Sequence, residues 1–350
     1  VPEIFSIGGT DIAPGERVTL DLPLPAQSTY TPMTMPVHVV RGRKPGPILF
    51  VSAAIHGDEI TGVDIIRRLL HSSALKRLRG TLICVPIVNV FGFVTHSRSL
   101  PDRRDLNRSF PGSPHGSLAA RLAHTFTEEI VKKCTHGIDL HSGSFHRTNH
   151  PHIRANLDDP ETEALAKAFG TPVVINANLR DGSLRQFAAD AGIPMLLYEA
   201  GEALRFDTLA SRAGVRGIGN VMRALEMLPA SKSLKKLAEV IEARSSTWVR
   251  ATQSGIFSHT IKTGNQVQEG DALGRVADPF GNNEHLVFAS ATGIVIGRTN
   301  LPVVNEGDAL FHIARFANVE TVSTAIEAFR EEHIEGLGPG DYVDAPIEES

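Results

Sequence analysis

The sequence predicts an α/β protein, a mostly parallel, helix-covered sheet followed by a smaller all-β region. Three observations carry that prediction. From Ile48 to Leu228, short apolar runs rich in valine and isoleucine alternate with segments of helical periodicity, the pattern of strands buried on both faces and joined by crossover helices. Near Ser245 the texture changes to short strands with frequent glycines. Within that second region the motif Val-x-Glu-Gly-Asp-Ala-Leu occurs twice, at Val267–Leu273 and Val304–Leu310, as expected of a small pseudo-twofold β-sandwich or barrel whose turns use Gly270 and Gly307.

Residues 1 to 42 alternate apolar and polar side chains around prolines, as in Glu16–Leu24 and Met35–Gly42, and are expected to form antiparallel edge strands. Ile48–Ile55 is a continuous apolar run, short enough for a buried strand, and Thr61–Leu75 follows with Val63, Ile65, Ile66, Leu69 and Leu70 at helical spacing. Thr81–Asn89 reads as the next strand, Ser117 as the cap of a helix reaching Lys133, and Gly137–His141 as a further strand. Thr171–Ala177 and Ile193–Glu199 are strands flanking a helix over Ser183–Ala191, and Asp207–Leu237 is a long helix. Asn318–Glu332 reads as one terminal helix, and the glycine-rich acidic end after Gly336 as mobile. The chain thus divides into residues 1–244, a β-domain over 245–316, and a terminal helix and tail over 317–350.

A chain of 350 residues with 41% apolar and 21% charged side chains has the makings of a sizeable core. The net charge of -4 and pI near 6.4, with no basic face in the sequence, argue against nucleic acid as a partner. Neither a twenty-residue apolar span nor a signal peptide is evident, so a soluble, cytoplasmic protein without a membrane partner is expected. Cys84 and Cys134 sit in apolar segments without a CxxC spacing and read as buried free thiols of a reducing compartment.

The chemistry centres on Ile48–Gly62, where the apolar run ends in His56-Gly57-Asp58-Glu59. An imidazole and a carboxylate three positions apart, on a loop entering a helix, can reach one cation, and Gly57 is expected to let the chain turn sharply between them. His141 ends a neighbouring strand and supplies the third ligand that a catalytic zinc needs beside an open position for water. Asp139, two residues earlier, either orients His141 or binds local backbone. Parallel sheets bind ligands beyond the carboxyl ends of their strands, and His56, Asn89, His141 and Glu199 all stand at such ends. Glu199 at that edge is the expected general base. Asn107 and Arg108, in Asp105-Leu106-Asn107-Arg108, pair a planar amide with a guanidinium that can hold a carboxylate. Arg98 is the candidate cation for a developing oxyanion. His146, His150 and His152 are irregularly spaced on what reads as a proline-containing loop, which suits substrate lining or solvation better than a second metal, and Arg154 is placed to touch the substrate.

His56-Gly57-Asp58-Glu59, Asp105-Leu106-Asn107-Arg108, Asp139-Leu140-His141 and Glu199-Ala200-Gly201 together resemble the succinylglutamate desuccinylase and aspartoacylase family, the deacylase branch of the zinc carboxypeptidase fold. The resemblance covers about Ile48 to Leu228, and the repeat from Gly255 to Leu310 looks like the β-domain of many members. It implies a helix-covered sheet of zinc-carboxypeptidase type with a barrel-sandwich-like C-terminal domain. It also implies one zinc per chain on His56, Glu59 and His141, with Glu199 as base and Asn107 and Arg108 on the substrate carboxylate. Arg98 is the best match for the carbonyl-polarising arginine, but its spacing to Asp105 is longer than in the aspartoacylase pattern, so Arg103 and Arg104 stay open. Asp58 stands where asparagine is frequent in the family and is not a ligand.

The implied activity is metal-assisted hydrolysis of small N-acyl amino acids, an N-acetyl diamino acid being one candidate substrate. A peptide carboxypeptidase would share the same metal site and carboxylate clamp. A biotinyl or lipoyl carrier role for the repeat fails because the chain has no lysine after Lys262. The β-domain is instead expected to shape the mouth of the site or to mediate assembly, with which a homo-oligomer is compatible. A non-catalytic binding protein would have no need of Glu199.

Overall fold

The computed structural model describes residues 5–230 and 240–334. The chain opens with a short hairpin, β1 (Phe5–Ile7) and β2 (Thr10–Ile12), then the antiparallel pair β3 (Arg17–Leu24) and β4 (Met33–Arg41). The α/β part follows as β5 (Lys44–Ala53), α1 (Thr61–Leu70), β6 (Arg79–Val85), α2 (Val90–Val94), α3 (Leu118–Glu129), β7 (His136–Gly143), β8 (Arg147–Ala155), α4 (Pro160–Phe169), β9 (Val173–Asn176), α5 (Leu184–Asp190), β10 (Met195–Glu202) and α6 (Thr208–Ala224). The remaining strands are β11 (Ile241–Ala243), β12 (Ser245–Arg250), β13 (Gly255–His259), β14 (Gln266–Val267), β15 (Ala272–Ala277), β16 (Glu284–Phe288), β17 (Gly293–Thr299), β18 (Val303–Val304) and β19 (Ala309–Arg315), and α7 (Val319–Ile334) ends the described chain.

At the centre of the main sheet, β6, β5, β7 and β10 run parallel; β4 and β3 on one side and β8, β17, β19 and β12 on the other pair antiparallel, while β9 pairs parallel with β8 and with β11, so the sheet is mixed where a mostly parallel one was expected. Alternation along β5 explains its unbroken apolarity. Leu49, Val51 and Ala53 face one layer with α1, α4 and α6, while Phe50 faces the other with α3 and α5. Burying both faces of a central strand leaves no polar position to interrupt the run.

The helix starts are set by side chains accepting from backbone N–H groups: Ser117 from Ala120, Ser183 from Gln186 and Asp207 from Ala210. Two expected helices are shorter. α1 stops at Leu70 because Ser72, in an extended conformation, caps a separate short turn over Ser73–Arg77. α6 stops at Ala224, where Glu226 adopts φ 55° and Met227 and Leu228 return their N–H groups to Met222. Residues 231–237 of the expected helix, and the tail expected after Gly336, lie outside the described residues.

His146 lies in the turn before β8, but His150 and His152 do not lie on the expected loop: Arg147–Ala155 forms β8, between β10 and β17. Pro151 is the residue that suggests a loop. Glu199 pairs with His152 but Gly201 with Asn149, so His150 and Pro151 together oppose Ala200. Such a bulge accommodates a proline that a regular ladder excludes.

The C-terminal strands have a core of their own, in which Val267, Leu273, Val304 and Leu310 from the two repeats are buried with Phe257 and Phe311. The repeats share turn chemistry: Asp271 accepts from Gln268 N at 2.7 Å and Asp308 from Asn305 N at 2.8 Å, with Gly270 and Gly307 at φ 89° and 87°. β17 also pairs with β8, and β19 and β12 extend the main sheet beyond it. The β-region therefore adjoins the wall of the α/β part. Among the described residues no helix is long and apolar enough to cross a membrane.

Gly57 has a different reason from the one expected. Its φ is not in the left-handed region; a Cβ here would overlap the Gly92 and Phe93 backbone of α2. The left-handed residue of this loop is Ala54, at φ 51°. Gly57→Ala should therefore act by overpacking, with a loss of about 1–3 kcal/mol in urea denaturation. An unchanged midpoint and slope would show that α2 does not clamp this loop.

Candidate metal centre and active site

β5 and β7 are parallel neighbours, so the loop after β5 and the end of β7 meet at the same edge. This brings together His56, Glu59 and His141, all buried, with one potential ligand atom from each within 4.8 Å of the others. His56 Nδ1 lies 2.8 Å from Glu59 Oε1, and His141 Nδ1 lies 2.8 Å from Glu59 Oε2.

The outer nitrogens of both rings are engaged. His56 Nε2 is 3.1 Å from Asp105 Oδ1 and His141 Nε2 is 2.6 Å from Asp139 Oδ2, while Asp139 Oδ1 accepts from Ser52 Oγ at 2.8 Å. Asp139 thus orients His141, which decides between its two expected roles. Either a proton on each Nδ1 bridges to Glu59, or, with each Nε2–H donated to a carboxylate, both Nδ1 lone pairs and the Glu59 oxygens turn to a shared cation. A cation among these buried groups would satisfy all three. Burial opposes charge on all three groups, yet their mutual contacts prevail. They hold the Glu59 carboxyl well below its ordinary range and raise both histidines, His141 strongly. Two imidazole nitrogens and a carboxylate, with carboxylates behind the rings, form a donor set that fits zinc.

Asp58 is not part of that set. Its side chain is buried, with Oδ1 lacking a hydrogen-bond partner.

Arg98 reaches the same centre. Its Nη1 donates to Ser144 Oγ at 2.7 Å and lies 3.3 Å from Glu59 Oε1; its Nη2 donates to Asp105 Oδ2 at 3.0 Å. Asn89 caps α2 through Gly92 N and donates from Nδ2 to Arg98 O at 3.3 Å, so it holds the loop that carries Arg98. Arg103 and Arg104 are exposed and do not line the cleft.

Asn107 and Arg108 do line it. Asn107 Oδ1 accepts from Leu184 N at 2.9 Å, which fixes the amide with its NH2 group free to donate, and Arg108 Nη1 donates to Asn107 O.

Glu199 is half-buried on β10, beside β7, and its Oε2 accepts from Asn149 Nδ2 at 2.8 Å. Burial first, then the Glu59 carboxylate, raise its carboxyl above the ordinary value against the pull of His141, Arg154 and Asn149.

The cleft holds about 690 Å³ and is lined by seven arginines against two carboxylates, Glu59 and Glu199. Arg185 is buried, with Nη1 and Nη2 donating to Ala177 O and Asn178 O, and burial with Arg154 and Arg180 nearby brings it down to about 10. Several wall residues escaped the sequence reading, among them Ser144, Asn149, Arg180 and Arg185. Trp248, Arg250 and His312 come from β12 and β19, far from the other motifs in sequence. Arg147 lies over the Trp248 ring at 5.1 Å, and Trp248 stacks on His312 at 4.4 Å. That Trp248 is the one tryptophan in the chain was the available signal. A larger hollow of about 1220 Å³ lies where β5 and β6 begin, away from this chemistry; its lining is rich in arginine and lysine and includes no histidine.

The chain is 26% identical over 320 residues to the N-alpha-acetyl-L-2,4-diaminobutyric acid deacetylase of Halomonas elongata, covering 82% of this chain and 87% of that protein. Its fold is shared with a succinylglutamate desuccinylase/aspartoacylase from Rhodobacter sphaeroides, at TM-score 0.79 and 24% identity, covering 90% and 98% of the two chains. It is shared also with the product-bound ectoine utilization protein EutE (DoeB) from Ruegeria pomeroyi, at TM-score 0.77 and 24% identity, covering 87% and 97%. The succinylglutamate desuccinylase/aspartoacylase catalytic domain matches residues 45–225, more than half of the chain, a span that contains His56, Glu59, Arg98, Asn107, Arg108, His141 and Glu199. By that match the chain belongs to the succinylglutamate desuccinylase/aspartoacylase family of hydrolases.

Proposed function

We propose that this chain is a zinc-dependent deacylase that hydrolyses the amide bond of small N-acyl amino acids. The observation that carries the proposal is the convergence of His56 Nδ1, His141 Nδ1 and the Glu59 carboxylate, with Glu199 on the strand beside His141. Zinc held by these three would act as a Lewis acid and lower the pKa of bound water toward about 7, from 15.7 in bulk.

The protein groups do the rest. Asn149 orients the Glu199 carboxylate, whose raised pKa suits a group that takes a proton from water and returns it to the leaving amine. Arg98, tethered by Ser144 and Asp105 beside the metal ligands, stabilises the negative charge that develops on the carbonyl oxygen. Arg108 and the free NH2 group of Asn107 hold the substrate carboxylate. The products are a carboxylic acid and a free amino acid.

A carboxypeptidase acting on peptides would use similar groups. The cleft favours the smaller substrate, since about 690 Å³ is the size of a small-molecule site and Trp248, Arg250 and His312 form part of its wall. Its excess of arginine favours substrates whose carboxylates outnumber their amines. The relative from Halomonas is named for a diamino acid, so N-acetyl diamino acids belong in the panel with N-acetyl and N-succinyl acidic amino acids and short peptides. Cys84 and Cys134, both buried and unpaired, support a reducing, cytoplasmic setting.

Purified protein should carry about one zinc per chain, and chelation should abolish turnover across the panel; full activity in metal-free protein would sink the mechanism. Glu199→Gln should retain the metal and lose roughly 10²–10⁴ in kcat, measured by steady-state kinetics beside elemental analysis. Unchanged kcat would remove Glu199 as base. Asp105→Asn should weaken zinc binding by about 10–100-fold in competition with a chelating indicator. Equal affinity would mean that the carboxylate behind His56 does not tune the site.

A further inference from the structure

The strand register sets three side chains abreast. Glu199 on β10 is the direct partner of His141 on β7 and of His152 on β8, and directly paired residues of neighbouring strands project from the same face of a sheet. The proposed base thus stands between a proposed metal ligand and His152, which lines the same cleft.

His152 is almost fully buried at 2% exposure, and its protonation pattern is set by the backbone. Nδ1 lies 2.7 Å from His150 O and must donate to that carbonyl. Burial, with Arg154 nearby, outweighs this contact and holds the ring neutral, its pKa down to about 3. Nε2 is therefore a lone-pair acceptor, and it has no hydrogen-bond partner. A buried acceptor without a partner is costly and calls for one. The cleft around it is rich in guanidinium donors, so an unpartnered buried acceptor beside Glu199 is unusual there.

The scissile amide supplies a matching donor. After water adds to the carbonyl carbon, the nitrogen becomes pyramidal, with one N–H and one lone pair. Glu199 can protonate it only if the lone pair faces the carboxyl group, which requires the N–H to point elsewhere. We propose that His152 Nε2 accepts the N–H of the scissile amide and so turns the nitrogen lone pair toward Glu199. In that step the Glu199 proton passes to nitrogen, the C–N bond breaks with its electron pair going to nitrogen, and the N–H remains in place. His152 neither gains nor loses a proton. It is a substrate-positioning residue, and the inference rests on the hydrolase reading above.

The test compares an N-acyl amino acid with its ester analogue, in which oxygen replaces the scissile N–H, for wild type, His152→Phe and His152→Gln at matched zinc content. His152→Phe should lose about ten- to hundredfold in kcat/KM on the amide, mostly in kcat, and stay within about threefold on the ester. His152→Gln, whose side-chain oxygen can accept, should recover part of the amide activity. Equal losses on amide and ester would mark a structural role and overturn the inference, as would an undiminished amide rate in His152→Phe. A wild type that binds zinc and cleaves neither substrate would overturn the hydrolase reading itself, a result distinct from both.

Discussion

Everything at the catalytic edge depends on one electrostatic arrangement, the two carboxylate oxygens of Glu59 facing two imidazole nitrogens at 2.8 Å each. Neither imidazole is free to turn away, because Asp105 and Asp139 hold the far nitrogens. Those carboxylates are held in turn, Asp105 by Arg98 and the Asn107 N–H, and Asp139 by Ser52. Rings fixed at both ends keep their Nδ1 atoms converged on Glu59. A metal held there would meet a formed site and would not have to order it, so little binding energy would be lost to reorganisation.

The sheet is what makes such convergence affordable in chain length. Parallel packing of β5, β7 and β10 delivers three loops to one edge, and the antiparallel β8 adds a fourth element to the same face. The bulge at His150–Pro151 has a specific consequence for that face. Strand alternation would put Asn149 and His152, three residues apart, on opposite sides. One extra residue resets the alternation, so Asn149 reaches Glu199 and His152 still projects into the cleft. A proline at that position is compatible with the bulge and incompatible with a slip back to regular pairing.

Legibility in the sequence followed the range of the interactions concerned. β5, β7 and β10 could be read because double burial writes itself as an unbroken apolar run, and caps such as Ser117 and Ser183 because a short side chain and the next turn suffice. His56, Glu59, His141 and Glu199 could be read because strand ends are local features and their chemistry is distinctive. β8 could not. Its alternation is broken by a bulge that exists only against Ala200 of β10, a partner fifty residues away in the chain. The role of Gly57 was hidden for the same reason, since the backbone that excludes a Cβ there belongs to α2. Arg98 could not be separated from Arg103 and Arg104 by spacing alone; what separates them is the Asn89 anchor and the Ser144 and Asp105 contacts.

The least legible part of the cleft is its far wall, where Arg147 of β8 lies over Trp248 of β12, which stacks on His312 of β19. Burial, with His152, Arg154 and Arg147 nearby, brings His312 down to about 3, so this stack adds no further positive charge to the cleft. The Trp248 face positions the Arg147 guanidinium, and the Asp308 carboxylate favours its charge against burial. The short β17–β8 pairing joins this wall to the strand that carries His152 beside Glu199.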